Sequence, residues 1–473
     1  MREFEKETIY KLFELPLIER AASTLFRSPI SRIALKRGAD LDLRLITTST
    51  DIKQFDTVAG VPAGTVFEAR DTVEFSLRGG GRGTANGVVY HKYNTSMSTR
   101  ATGESTTKAF YSIQSIEFDF KRAVPAAYVI EWVDNLPTHL IWTDHTKRDR
   151  VTEFTHTFGS GDAKIEMSSS RKSYGGGSSL HLKVDGYDFY ICNSPAKSNG
   201  TGKQGKIVFK GTPSKEVRDK IRNCVSFVLG APIVYYGVTE YCAAWQATAM
   251  QSVSAVSIGG AVFRLHDQPP YPICSDTSGR IIDSRLANKA INAIYMKYDD
   301  LKFNELSWSY WYAMCAPLHL CAVYFGGLIE KLQKLLPVDK AISRLLDKTA
   351  QKVVMDTIKA AISNLQIGDI EKNIIMNKIS NFNQAPQNII LQRTFDFLKL
   401  PMSELERGAW QHRNSAAHGM IGNSEEMILY CKVLMLVFHR MIASITDCSD
   451  RYIDYYNLNF PIRALTDAVP SRD

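Results

Sequence analysis

The hydrophobic period of this chain changes once, and that change limits what it can fold into. Through about residue 210 the apolar residues come in short runs that alternate with polar ones or favour β-branched and aromatic types. From about Thr212 the period shifts, and over residues 291–473 apolar positions recur every three or four residues. A period of two buries one face of a strand and a period of 3.6 one face of a helix, so neither pattern serves the other element. The expected fold is therefore α+β and multidomain. A β-rich domain, sandwich- or barrel-like, covers 1–211, a mixed connecting region covers 212–290, and an all-α bundle covers 291–473.

Strands are predicted at 41–47, 65–69, 73–77, 87–91, 110–120, 127–133, 139–143, 165–169, 179–184 and 187–192, with Gly, Ser, Asn and Asp between them. Residues 110–120 change the parity of their apolar positions, which predicts a bend or bulge. Residues 4–13 carry the first helix signal. Arg78-Gly-Gly-Gly-Arg82 has no Gly-Lys-Ser/Thr and opens no helix, so it reads as a hairpin loop rather than a phosphate cradle. Ser173-Tyr-Gly-Gly-Gly177 lacks the glycine that follows the serine of a nucleophile elbow and reads as a turn.

Residues 197–206 form a predicted flexible basic loop containing Lys203 and Lys206. It leads into Lys210, Lys215, Arg218, Lys220 and Arg222, the densest basic run in the chain. An exposed helix face is the expectation there; the competing reading is sequence-independent contact with nucleic-acid phosphates. A helix is expected from Ser214, and 240–250 fits helix or strand. The prolines of 266–272 suggest a linker, and the domain boundary is placed between about 270 and 300. Residues 303–335 read as one long apolar helix or as a pair broken at Pro317, followed by helices over 338–346, 348–364, 369–382, 388–398 and 425–445. Residues 306–329 hold no charge and are long enough to span a membrane, but Trp308, Tyr310, Pro317 and His319 favour a buried helix of a soluble bundle.

The net charge of +8 is compatible with a nucleic-acid partner. The eight cysteines form no Cys-x-x-Cys pair and no Cys/His cluster of zinc spacing, so neither metal nor other cofactor is expected. The N-terminus shows no signal pattern. A reduced, cytoplasmic setting without a membrane is the expectation.

The functional argument rests on the stretch Glu404-Leu-Glu-Arg407-Gly-Ala-Trp410-Gln-His412-Arg413-Asn414-Ser-Ala-Ala-His418-Gly419. Ser403 with Glu406 three residues on is a capping box, so a helix is predicted from Ser403 to His418 with Gly419 at its C-cap. Two Arg-x4-His pairs overlap there, Arg407/His412 and Arg413/His418, and spacing alone does not choose between them. Asn414 after Arg413 and Gly419 after His418 do. Residues five apart lie about 140° apart around a helix, so one regular helix cannot aim both side chains at one phosphate.

This arrangement resembles the HEPN family, whose motif is Arg, a polar residue, three further residues and His. Within it the chain looks most like the ApeA-type anti-phage proteins, which join a β-rich N-terminal domain to a C-terminal HEPN domain. The resemblance covers the C-terminal third well and the remainder in general layout. It makes the bundle HEPN-like and implies a metal-independent endoribonuclease, a toxin-like effector of abortive infection. The 2′-OH of RNA would attack the adjacent phosphate and leave a 2′,3′-cyclic phosphate, with tRNA a substrate class by family analogy. The motif carries over to Arg413 and His418 as catalytic residues and to Asn414 as a phosphate-positioning group. A histidine suits general acid or base work and an arginine suits phosphorane charge. Glu330 either pairs with a motif arginine or makes an ordinary helix-end salt bridge. Arg407, with Gly408 in the polar position, and His412 are candidate RNA contacts, as are Lys203 and Lys206. The resemblance also implies a homodimer through the helical domain, with a phage-derived trigger at the N-terminal domain. The competing reading is a non-catalytic HEPN module that binds RNA or protein.

Overall fold

The computed structural model describes residues 13–14, 18–22, 30–37, 42–49, 71–77, 80–97, 105–121, 123–137, 141–142, 144–158, 164–193, 203–254, 281–282, 284–337, 339–417 and 423–471. The chain divides into a first unit, Met1–Pro269 with Ser275–Asn288, and a second, Pro270–Cys274 with Lys289–Asp473. Antiparallel sheets dominate the first and helices the second.

In chain order the strands of the first unit are β1 (Phe13–Glu14), β2 (Ile18–Ala22), β3 (Ile30–Arg37), β4 (Leu43–Ser49), β5 (Thr72–Leu77), β6 (Arg82–Asn86), β7 (Val89–Met97), β8 (Ser105–Ile113) and β9 (Ser115–Asp119). They continue with β10 (Tyr128–Leu136), β11 (Ile141–Trp142), β12 (Asp144–Phe158), β13 (Ile165–Val184), β14 (Tyr187–Asn193), β15 (Lys203–Lys210), β16 (Val234–Tyr241), β17 (Ala247–Val253) and β18 (Ile281–Ile282). One sheet runs β1-β3-β4-β8-β7; a larger one runs β12-β13-β14-β15-β10-β16-β17-β9-β6-β5-β2. Leu35, Leu45 and Tyr111 of the smaller sheet share a core with Val73, Phe75 and Ile116 of the larger, a sandwich arrangement. Buried Arg37 of β3 ties the sheets further, donating to the Val253 and Tyr236 carbonyls at 2.7 and 3.1 Å.

Several sequence expectations change here. The parity switch in 110–120 is a change of sheet: β8 belongs to the smaller and β9 to the larger, with Gln114 between them. The glycine triplet 175–177 is no turn. It lies within β13, paired with Arg148, Lys147 and Thr146 of β12. Lys203 and Lys206 stand in β15, not in a loop, because β15 has a partner on each side, β10 and β14. Strands β5 and β6 pair as a hairpin, with Gly80 N donating to the Leu77 carbonyl at 3.1 Å and Leu77 N to the Gly81 carbonyl at 2.9 Å; Arg78 and Gly79 lie outside the described residues. Expectations for 4–12 and 65–69 fall outside the described residues.

The stretch 212–290, expected as a connector, supplies helix α1 (Lys215–Leu229) and the strands β16 and β17, which extend the larger sheet from β10. The Ser214 hydroxyl caps α1 by accepting from Val217 N at 3.3 Å, and Gly230 ends it at φ 64°. The basic run is an open face only in part: Lys210 and Lys215 are exposed, but the arginines are not. Arg218 and Arg222 turn inward onto the buried Glu131 carboxylate of β10, at 3.0 and 2.8 Å. Two guanidiniums around one carboxylate satisfy the charges that burial would otherwise penalise.

The helices that follow are α2 (Ser284–Met296), α3 (Phe303–Cys315), α4 (Leu318–Leu335), α5 (Asp339–Ile342), α6 (Lys348–Ser363), α7 (Asp369–Ile379), α8 (Gln387–Phe397), α9 (Glu404–Ala417) and α10 (Ser424–Thr446). Extended Ala316 and Pro317 split the uncharged 306–329 stretch into α3 and α4, the broken pair. Helix α4 packs against α3, α9 and α10 and is the centre of the second unit. Among the described residues one helix, α10, is long and apolar enough to cross a membrane, and 67% of its apolar window is buried inside the protein. A short pair, β19 (Arg451–Ile453) with β20 (Ile462–Ala464), follows it.

Candidate functional site

Helix α9 carries the site, and its N-terminus is fixed twice. Ser403 and Glu406 form the expected capping box: Ser403 N donates to Glu406 Oε2 at 2.9 Å, and Glu406 N donates to Ser403 Oγ at 3.2 Å. Glu406 is fully buried, and its other oxygen takes the Nη1 of Arg440 on α10, itself fully buried. Arg440 Nη2 also donates to the Pro401 carbonyl at 2.9 Å. A carboxylate that caps its own helix and pairs with the next one sets the direction of α9 against α10.

Seven residues are two turns, so Arg413 falls on the same face of α9 as Glu406, with Ala409 and Trp410 between them, all buried. Arg413 is 8% exposed. Its Nη1 pairs with Glu330 of α4. Its guanidinium carbon lies 3.6 Å over the Trp410 ring, one turn back on the same helix. The Trp410 indole N–H donates to the Gln387 carbonyl of α8 at 3.3 Å, which holds that ring still. Gly326, one turn before Glu330 on α4, makes the room: a Cβ there would stand 2.7 Å from the Arg413 Cδ. The arginine is thus oriented by a carboxylate, an indole and a missing side chain. Its Nε–H is buried without an acceptor among the described residues.

The overlapping pair is taken apart by the fold. Arg407 points to α8, donating to Gln392 Oε1 at 3.0 Å from Nη2, and also pairs with Glu404. His412 packs its ring against Tyr430 of α10, centroids 4.8 Å apart, and its Nε2 is buried without a partner among the described residues. Residues five apart on one helix therefore meet two different neighbours. Asn414 is in α9, with only its backbone described; His418 and Gly419 lie outside the described residues. Lys203 and Lys206 belong to the first unit, where Lys206 is half-buried and the Lys203 side chain is outside the description.

Three groups escaped the sequence reading. Gly326 and Trp410 had a signal: each stands within one turn of a named site residue on the same helix face, Gly326 with Glu330 and Trp410 with Arg413. The third, His439, had none. It is buried in α10, 3.0 Å from the Tyr310 hydroxyl of α3, and burial pushes its pKa down to about 3. Burial disfavours the charged imidazolium, so the ring is held neutral. Among the described residues no three His, Cys, Asp or Glu side chains are grouped to hold a metal ion. Comparison with known proteins finds no matching family model, no matching curated protein and no matching solved structure.

Proposed function

We propose that the chain is a HEPN-type, metal-independent endoribonuclease that acts as a toxin-like effector in anti-phage defence. Arg413 would stabilise the phosphorane and His418 would transfer the proton. The observation that supports this reading is the setting of Arg413: Glu330, Trp410 and Gly326 converge on one guanidinium at the end of a doubly pinned helix. Preorganised charge is what phosphorane stabilisation requires. The attacking 2′-oxygen comes from the RNA itself, so the protein need supply only positioning, a proton acceptor and donor, and positive charge. Asn414, next in sequence, would place the phosphate. Two copies would combine their motifs, because one regular helix cannot aim both Arg413 and His418 at a single phosphate.

A second reading has its own observation. Arg413 is nearly buried and already paired, which suits a HEPN module that binds RNA or a protein without cutting. Expression of the wild type, Arg413→Ala and His418→Ala with total RNA analysed for fragment ends separates the two. The nuclease reading expects 2′,3′-cyclic phosphate ends in the wild type and none in either variant. Intact RNA in all three, with no toxicity under phage challenge, would leave the binding module.

A further inference from the structure

An aromatic platform in the first unit meets no need of the nuclease chemistry. Trp245 sits in the tight loop between β16 and β17, where Cys242 N donates to the Gln246 carbonyl at 3.0 Å and Trp245 N to the Cys242 carbonyl at 2.9 Å. Its φ is +58°, a conformation that glycine or asparagine adopts in such loops and a bulky side chain rarely does. The indole lies flat on Tyr128 of β10, centroids 4.4 Å apart and planes within 4°, with Tyr241 5.7 Å away. Tyr128 covers one indole face, yet Trp245 remains 47% exposed, so the solvent-facing surface is the opposite face and the ring edge. Directly across the ladder from Tyr128 stands exposed Lys210 of β15, and across its other side Tyr241. Opposed side chains on a sheet are neighbours, about 5 Å apart at Cβ. The row is therefore cation, aromatic, aromatic, with a third aromatic ring, the Trp245 indole, laid over it.

We infer that Trp245, Tyr128 and Lys210 form a stacking site for a nucleobase whose phosphate is met by Lys210, the ligand being single-stranded nucleic acid. An open ring face accepts any base, and an adjacent lysine supplies the backbone charge, the combination that binds single strands without reading sequence. A neutral sugar would use the ring but not the lysine. A strained backbone that keeps an indole where glycine would be easier points to a task for the side chain.

The test uses the full chain and a short deoxythymidylate strand, which has no 2′-hydroxyl and cannot be cut by the proposed chemistry, so binding is read apart from catalysis. Fluorescence anisotropy is measured for wild type, Trp245→Gly, Trp245→Phe and Lys210→Ala, with thymidine monophosphate and a neutral oligosaccharide as competitors. Glycine suits the positive φ, so Trp245→Gly keeps the loop while removing the platform. The expected result is about a tenfold weaker Kd in Trp245→Gly, with partial recovery in Trp245→Phe. Lys210→Ala should lower the dependence of log K on log salt by about 0.7. Thymidine monophosphate should compete more weakly than an unlabelled strand; competition equal to the strand's would overturn the strand assignment in favour of a free nucleotide. Equal binding by wild type and Trp245→Gly would overturn the site, as would displacement by the oligosaccharide alone.

Discussion

Gly326 and Gly327 are adjacent in α4 and answer to opposite demands. A Cβ at Gly326 meets the Arg413 Cδ at 2.7 Å, whereas one at Gly327 meets nothing within 4 Å. Arg413 is held by Glu330 and Trp410 and has little room to yield. Gly326→Ala should therefore destabilise the protein by about 1–3 kcal/mol through overpacking. Gly327→Ala should stabilise it by about 0.5–1 kcal/mol, the ordinary gain for a helix interior. Urea midpoints of the two variants check this, and stabilisation by Gly326→Ala as well as by Gly327→Ala would show that Arg413 is free to move. The sequence held part of this information. Gly326, Glu330, Trp410 and Arg413 are each at helical spacing from a partner in their own helix. That the two helices face each other at those positions is a tertiary fact.

At the scale of elements, the contact of α3 with α10 carries a pH dependence. His439 of α10 hydrogen-bonds Tyr310 of α3, and its ring stands 5.7 Å from the tyrosine ring. An unfolded histidine titrates near 6.5, the folded one at about 3. Between those values the unfolded chain binds a proton that the folded chain refuses. Stability is therefore unaffected by this group above about pH 6.5 and falls as pH drops towards 3, by up to about 1.4 kcal/mol per pH unit. Urea unfolding at about pH 7.5 and about pH 5.5 should show a larger loss in wild type than in His439→Gln; equal losses would place the titration elsewhere. The same scale shows why strand assignment was partial. Strands β12 and β13 pair along fifteen residues from Asp144↔Ser179 to Phe158↔Ile165, yet that part of β13 is mostly Ser and Gly. Ladder hydrogen bonds need no side chain, so the sequence carries little trace of them. The helices were more legible, because their ends are written in local chemistry. Ser214, Asp347, Ser403 and Asn423 each accept a backbone N–H of the turn they start, and Pro317 breaks α3 from α4.

For the whole molecule, the proposed catalytic unit is a pair of chains. Light scattering after size exclusion should give about twice the 53.1 kDa chain mass. A monomer at micromolar concentration would remove the composite site, and with it the explanation for a motif arginine and histidine five residues apart in sequence. What the sequence by itself determined is the order of the two halves and the start of helices such as α1 and α9 that carry their own caps, since hydrophobic period and capping depend on neighbours a few residues apart; α2, with no such signal, went unread. What only the tertiary structure decided is which side chains meet. Residues 212–253 became part of the β unit through ladder pairing of β16 with β10. Arg218 and Arg222, read as surface charge, became the inner shell of Glu131. Arg413, one of two arginines with a histidine five residues on, became the one facing Glu330, Trp410 and Gly326. Each outcome depends on contacts between residues far apart in the chain, and a one-dimensional pattern does not encode the distance between them.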